Sequence, residues 1–150
     1  EVITTVDEDM AALLETFDRQ GALRTTAIMI LSDHGLHVSP AFLMGETAGL
    51  LENLMPLCHL ILPRSLLDSS TDLRQNLLAN QQKLVSSIDL HATFRQLAYW
   101  PNPPPPGPDT ISNYERRPFR AKSLMGPIDN ERPCADAGIP EDLCVCQVTS

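Results

Sequence analysis

An apolar run that ends abruptly in a carboxylate and an imidazole is the feature that most constrains the fold. Residues 27–31 are all apolar, and Ser32, Asp33, His34 and Gly35 follow at once. A short apolar run bounded by turn residues is typical of a strand buried on both faces. We therefore expect an α/β domain, in which helices flank a mostly parallel sheet.

Asp33 and His34 are the candidate metal ligands. Ligand sites in parallel sheets lie at the carboxyl ends of strands, where this pair falls. Asp offers a hard oxygen and His a neutral nitrogen, and Gly35 permits a sharp turn or close backbone approach. The alternative is an Asp-His-Gly turn without a ligand. His37 could reach the same pocket, or it could be a solvated loop residue.

The two other histidines are weaker candidates. His59 alternates with apolar residues in a second predicted strand, residues 57–63, and fits a surface position or a hydrogen-bonded position in the core. His91 lies beside the predicted start of a helix. We assign neither residue to a metal.

The chain before and after the first strand has contrasting patterns. Residues 7–20 predict an amphipathic helix, opened by three acidic residues and ended by Gly21. Residues 35–56 show no sustained period, which indicates a long functional loop. The apolar stripe expected on the helix comprises Met10, Leu13, Leu14 and Phe17.

Two further helices are expected after the second strand. One covers residues 71–84, with Ser70 or Thr71 as its cap. The other covers residues 86–100, where Ser86 and Asp89 have the spacing of a capping pair. Together with the strands, these helices complete an α/β domain over residues 1–100.

Proline ends this domain. Residues 101–109 read PNPPPPGPD, which cannot continue a helix and forms an extended linker. A ligand for an SH3 or WW domain is the alternative for this tract. Residues 110–150 are polar, turn-rich and cysteine-rich, and we expect an irregular tail that packs on the domain surface.

The cysteines predict a disulfide in the tail. Cys134, Cys144 and Cys146 cluster there, and we expect Cys134 to pair with Cys144 or Cys146, because the last two are too close to favour pairing together. A metal knuckle and free thiols are the alternatives. Cys58 lies in the second apolar strand and is expected to be reduced and buried.

The charge balance excludes some partners. The formal net charge is −8, whereas nucleic acids and anionic membranes require a basic face. The longest apolar stretch is too short to span a bilayer, and no signal peptide is visible. The sequence reads as an excerpt, with any export signal or anchor expected upstream. Because the clustered tail cysteines suggest an oxidising compartment, we expect a secreted or luminal protein.

Four stretches resemble the alkaline phosphatase/sulfatase superfamily, in the right order. LRTTAIMILSDHG resembles its T-x-hydrophobic-SDHG segment, and GLLENLMPLCHLILP resembles the following strand entry. SSIDLHATFRQLAYWP is similar to its D-x-x-P-T-L-x-x-L helix, although Ala92 stands where proline is common. The cysteine-bearing tail resembles the sulfatase-like DUF229 branch. The matching positions are Glu52, Pro56, Asp89, Thr93 and Leu97.

The resemblance implies a fold and a chemistry. The fold is the C-terminal portion of an alkaline-phosphatase-like sandwich. Asp33 and His34 match a pair that ligates a divalent ion, which could be zinc, calcium, magnesium or manganese. His37 stands where this branch often has an arginine, so it is placed to face substrate oxyanions.

No catalytic residue is assigned, because the nucleophile in such enzymes belongs to the N-terminal half. We therefore expect a fragment of a metal-dependent sulfatase/phosphatase-like hydrolase that is inactive alone. Its whole enzyme would act on small-molecule or glycan sulfate or phosphate esters. The alternative is a non-catalytic secreted or luminal sulfatase-like interaction protein.

Overall fold

The computed structural model of the chain describes residues 2–105 and 121–147. Helix α1 (Val2–Arg19) starts earlier than predicted, so the three acidic residues lie within it and its first turn holds none. Gly21, with φ of 73°, ends the helix and is followed by a 3₁₀ turn, Ala22–Arg24. In the predicted stripe, Leu13 is 46% exposed, while the other three residues are half-buried.

The two predicted strands form an antiparallel pair, which corrects the expectation of a mostly parallel sheet. Strand β1 (Ile28–Leu31) and strand β2 (Cys58–Ile61) pair with Leu31 opposite Cys58. They make a two-stranded sheet within the described residues. The chain turns back at the end of β1 and enters β2 beside it, whereas a parallel pair needs a crossover that returns to the start of β1.

The expected loop between the strands contains two short helices. Helix α2 (Pro40–Leu43) is capped by Ser39, whose Oγ accepts a hydrogen bond from Phe42 N at 3.2 Å. Helix α3 (Thr47–Leu54) packs against α2 through buried Gly49, where a Cβ would lie 2.3 Å from Phe42 N. This helical pair reverses the chain and explains why β2 starts where β1 ends.

The second half of the domain is helical. It comprises α4 (Arg64–Asp68), α5 (Thr71–Asn80) and α6 (Ser87–Tyr99). Ser70 caps α5, as predicted, because its Oγ accepts from Leu73 N at 3.3 Å, although α5 ends four residues before the predicted end. The α/β character is confirmed, with helices as the larger part.

The tail contributes to the core despite having little regular structure. Leu66, Leu73 and Met125 form the central cluster, and Met125 comes from the tail. Beyond turns, the described tail holds only two 3₁₀ turns, Glu141–Leu143 and Val145–Gln147. Half-buried apolar residues surround the cluster: Leu62, Leu67, Leu77, Leu97 and Trp100.

The predicted proline linker is only partly described. Residues 101–105 are exposed or half-buried, and the rest of the linker and residues 110–120 lie outside the described residues. None of the described helices is long and apolar enough to cross a membrane.

Candidate functional site

The turn that carries the Asp-His pair is fixed to the start of β2. Ser32 N donates to Leu57 O at 3.1 Å, and Leu57 N donates to Ser32 Oγ at 2.7 Å. The first bond continues the antiparallel ladder of β1 and β2 by one residue pair, and in the second the Ser32 side chain takes the place of its backbone carbonyl. The serine before the pair thereby fixes where the site-bearing turn begins.

Asp33 and His34 are brought together at the end of β1. Asp33 Oδ1 accepts from the backbone N–H of His34 at 2.8 Å. The other carboxylate oxygen, Oδ2, lies 3.6 Å from His34 Nε2. Two ligands that each lie about 2.0–2.2 Å from one zinc ion would be separated by about 3.3–3.6 Å in tetrahedral geometry. The observed separation fits a shared ion after a small adjustment.

The hydrogen bond of the other ring nitrogen sets the tautomer of His34. His34 Nδ1 lies 2.7 Å from Gly35 O. A carbonyl oxygen can only accept, so Nδ1 carries the proton and Nε2 of the neutral ring has a lone pair. Nε2 lies 3.6 Å from Asp33 Oδ2, so its lone pair and the carboxylate together are a donor set that suits a cation.

Gly35 is required by the close passage of α3. A Cβ at Gly35 would lie 1.8 Å from Glu52 O, which leaves no space for a side chain. Gly35 N donates to Asn53 O at 3.1 Å, and Asn53 Nδ2 donates to Gly35 O at 3.2 Å. Asn53 therefore positions the carbonyl that orients His34.

The pair is open to solvent. The Asp33 side chain is 86% exposed and that of His34 is 50% exposed. The backbone N–H of His34, and then the charge of its ring, hold the pKa of Asp33 below its ordinary value of 3.8. Asp33 is therefore an anion at neutral pH, accessible from outside.

Of the three other histidines, His37 lies near the Asp33–His34 pair. The rings of His37 and His34 meet edge to face, with centroids 5.0 Å apart. His37 thus lies beside the pair, while His59 is exposed on β2 and His91 is exposed on α6. Within the described residues, no group of three or more donors close enough for one ion contains Asp33 or His34.

A second acid–base pair is fully buried. Asp89 has no exposed surface and accepts two bonds from Arg132, Nη1 to Oδ2 at 2.8 Å and Nη2 to Oδ1 at 3.0 Å. Ser86 N also donates to Oδ2 at 2.9 Å, and Lys122 N donates to Oδ1 at 2.8 Å. The predicted capping role of Asp89 is present, but its larger role is to bind the tail to α6.

Asn80 and Thr93 also bind the tail. Asn80 Nδ2 donates to Leu124 O at 2.9 Å and to Gly126 O at 2.8 Å, and its Oδ1 accepts from Ile128 N at 3.2 Å. Thr93 Oγ1 accepts from Leu124 N at 2.9 Å while donating to the backbone of α6. These side chains supply the partners that an irregular backbone cannot find in a helix or sheet.

The disulfide prediction is confirmed, and one cysteine expectation is wrong. Cys134 and Cys144 are bonded, while Cys58 and Cys146 are free. Cys58 is exposed, because it lies at the open end of β2 and not in a covered sheet. Its thiol is still partly desolvated, which raises the pKa of Cys58 above its ordinary value.

The chain matches a known protein family over residues 1–150. The model described as "Protein of unknown function (DUF229)" matches residues 1–150. The chain belongs to the DUF229 family. No curated protein and no solved structure matches this DUF229 chain significantly.

Sequence reasoning missed three positioning residues of this DUF229 chain. Asn53 lies on α3, which the helical spacing of Leu50 and Leu54 could have indicated. Asn80 and Arg132 carry no local signal, because a surface helix end and a polar tail normally leave such residues solvated. Their partners are more than 40 residues away in the chain.

Proposed function

We propose that the chain is part of a sulfatase-like, metal-dependent hydrolase of sulfate or phosphate esters. In this proposal Asp33 and His34 supply two ligands of its divalent ion. The observation that carries it is the 3.6 Å approach of His34 Nε2 to Asp33 Oδ2. Family membership over residues 1–150 and the sequence resemblance to sulfatases support the same class.

The residues of the site have separate tasks. Asp33 contributes negative charge and a hard oxygen, and His34 contributes its Nε2 lone pair, oriented through Gly35 O. When bound, the ion would polarise an ester oxygen. His37, 5.0 Å from His34 between ring centroids, is placed to donate a hydrogen bond to the sulfate or phosphate oxygens.

The pair needs further ligands to bind an ion tightly. Catalytic metal sites use at least three protein ligands and a nucleophile, and the described residues bring two donors together here. We propose that this chain is the C-terminal part of a longer protein. The remaining ligands and the nucleophile would then come from the part of that protein outside residues 1–150. The open face of the pair leaves room for them.

We also propose that the protein works in an oxidising compartment. The Cys134–Cys144 bond supports this proposal, because such bonds persist outside the cytosol. A secreted protein, or one on the luminal or extracellular side of a membrane, fits that condition.

Calorimetric titration with Mn²⁺ tests the ligand assignment. Mn²⁺ favours oxygen and imidazole over thiolate, so the tail cysteines do not compete for it. We expect one weak site in the chain, lost in Asp33→Ala and in His34→Ala and kept in His91→Ala, the matched control on α6. Equal binding by the Asp33 variant would reject the assignment, and absence of binding would favour the non-catalytic alternative.

Activity assays test whether the site is complete. The purified chain is expected to hydrolyse neither aryl sulfates nor aryl phosphates above a blank that contains the metal alone. Turnover that disappears in Asp33→Ala would show that residues 1–150 already contain a whole active site, and would overturn the proposal that the rest lies elsewhere.

A further inference from the structure

Three sulfur atoms lie together at the end of the tail. Cys134 and Cys144 are bonded and buried, each 8% exposed. Cys146 is free and exposed, and the sulfur atoms of all three lie within 4.8 Å of one another. A free thiol therefore lies next to a disulfide within one small group of atoms.

We propose that these cysteines form a thiol–disulfide exchange site, with Cys146 as the attacking thiol. The Cys146 thiol releases its proton to water, and the thiolate attacks Cys134 Sγ along the axis of the existing bond. The Cys134–Cys146 bond forms as the Cys134–Cys144 bond breaks. Cys144 leaves as a thiolate and takes up a proton, so no external oxidant or reductant is needed.

Attack on Cys134 is favoured over attack on Cys144. A bond between Cys144 and Cys146 would close a ring across one residue, Val145. So short a connection cannot easily place the two Cβ atoms and the dihedral angle that a disulfide requires. A bond from Cys146 to Cys134 closes a loop only two residues longer than the present one, whose ends are 10 residues apart.

The exchange would act on the segment that binds α6. Arg132 lies two residues before Cys134, and its Nη2 donates to Asp136 O at 3.2 Å inside the closed loop. Moving the covalent link from Cys144 to Cys146 keeps this loop closed and releases Cys144. The site can therefore change its bond without releasing the Arg132 contact with Asp89.

Label mapping on the full chain tests the proposal. The oxidised protein is incubated without added thiol at about pH 8.5, where free thiols ionise substantially. Acid quenching, labelling with N-ethylmaleimide at low pH and fragmentation of the peptide then locate the label. We expect label on Cys146 and, in a second population, on Cys144. The Cys144 fraction should not depend on protein concentration, because the exchange is intramolecular.

Two variants make the result decisive. Label on Cys144 should disappear in Cys146→Ser, which changes an exposed side chain and leaves the Cys134–Cys144 bond in place. It should persist in Cys58→Ser, which removes the other free thiol. The proposal is overturned if Cys144 is never labelled, if its label survives in Cys146→Ser, or if the label increases with protein concentration.

Discussion

The Asp33–His34 pair and the Asp89–Arg132 pair each combine an acidic and a basic side chain, but at opposite depths in the molecule. In the first, the side chains are 86% and 50% exposed, and Asp33 Oδ2 lies 3.6 Å from His34 Nε2. In the second, they are 0% and 3% exposed and 2.8 Å apart. One pair lies at the open end of a strand, whereas the other joins α6 to the tail.

The difference lies in which acceptor positions are already used. Both oxygens of Asp89 are occupied by Arg132, Ser86 and Lys122, so a ligand would have to displace structural bonds. At the exposed pair, Asp33 Oδ2 and His34 Nε2 lie 3.6 Å apart on side chains that are 86% and 50% exposed, so both atoms are accessible to a ligand. Complete bonding indicates a structural role for Asp89, whereas the accessibility of the Asp33–His34 pair supports the proposed ligand-binding role.

The largest effect is expected from breaking the buried pair. Arg132→Met leaves the Asp89 carboxylate buried without its charged partner, which costs about 3–5 kcal/mol of unfolding free energy. Urea denaturation measures this change. His34→Ala, which removes the basic member of the exposed pair, is the matched control and should change stability little. Equal effects of the two variants would contradict the proposed difference between the pairs.

The next effect should come from removing the tail disulfide. Replacing Cys134 and Cys144 together by serine opens a loop whose ends are 10 residues apart. Loop-closure entropy predicts a loss of about 2–3 kcal/mol for a loop of this size. Thermal unfolding under identical conditions checks it, with Cys58→Ser as the control that should leave the midpoint almost unchanged. A double variant as stable as the parent would show that the polar contacts suffice to order the tail.

A smaller but more local effect is expected at Gly35. Gly35→Ala places a Cβ where Glu52 O lies at 1.8 Å, and overpacking of this kind costs about 1–3 kcal/mol. Gly126→Ala is the matched control, since its Cβ would meet only Ser123 O at 3.7 Å. NMR signals of the His34 ring should shift in the first variant and stay in place in the second. Unshifted signals in Gly35→Ala would argue against positioning of His34 through Gly35.

The smallest effect on stability is expected at Asp33. Its pKa is lowered in the folded protein, so the stabilisation is present above pH 3.8 and is lost as pH falls through the folded-state value. Asp33→Asn should therefore differ slightly from the parent at neutral pH, and the difference should vanish in stronger acid. An NMR titration of the Asp33 carboxyl carbon should give a midpoint below 3.8, and a midpoint at or above that value would contradict the bond from His34 N–H.

Local patterns in the sequence predicted most of the local structure. The apolar runs gave both strands, Ser70 gave the start of α5, and Gly21 gave the end of α1. Each of these features depends on residues within a few positions of one another, where propensity and capping decide the outcome. The adjacency of Asp33 and His34 was likewise predictable, since neighbouring residues in a turn remain close.

Long-range pairing was the part that local patterns could not supply. The antiparallel register depends on how α2 and α3 return the chain, and an apolar strand reads alike in either orientation. The burial of Asn80 depends on backbone groups of Leu124, Gly126 and Ile128, far along the chain. Nothing in the neighbourhood of Asn80 indicates that these groups would need its amide.

The two-stranded sheet has a further consequence for handling the chain in solution. Among the described residues, β1 and β2 pair only with each other, so each strand has one outer edge of backbone N–H and C=O groups. Such edges are templates on which another strand can add. Leu31 and Leu57 are exposed at the same end of the sheet. We therefore expect the chain to self-associate edge to edge at high concentration. A lysine at a solvent-exposed position of either strand should raise the solubility of the chain.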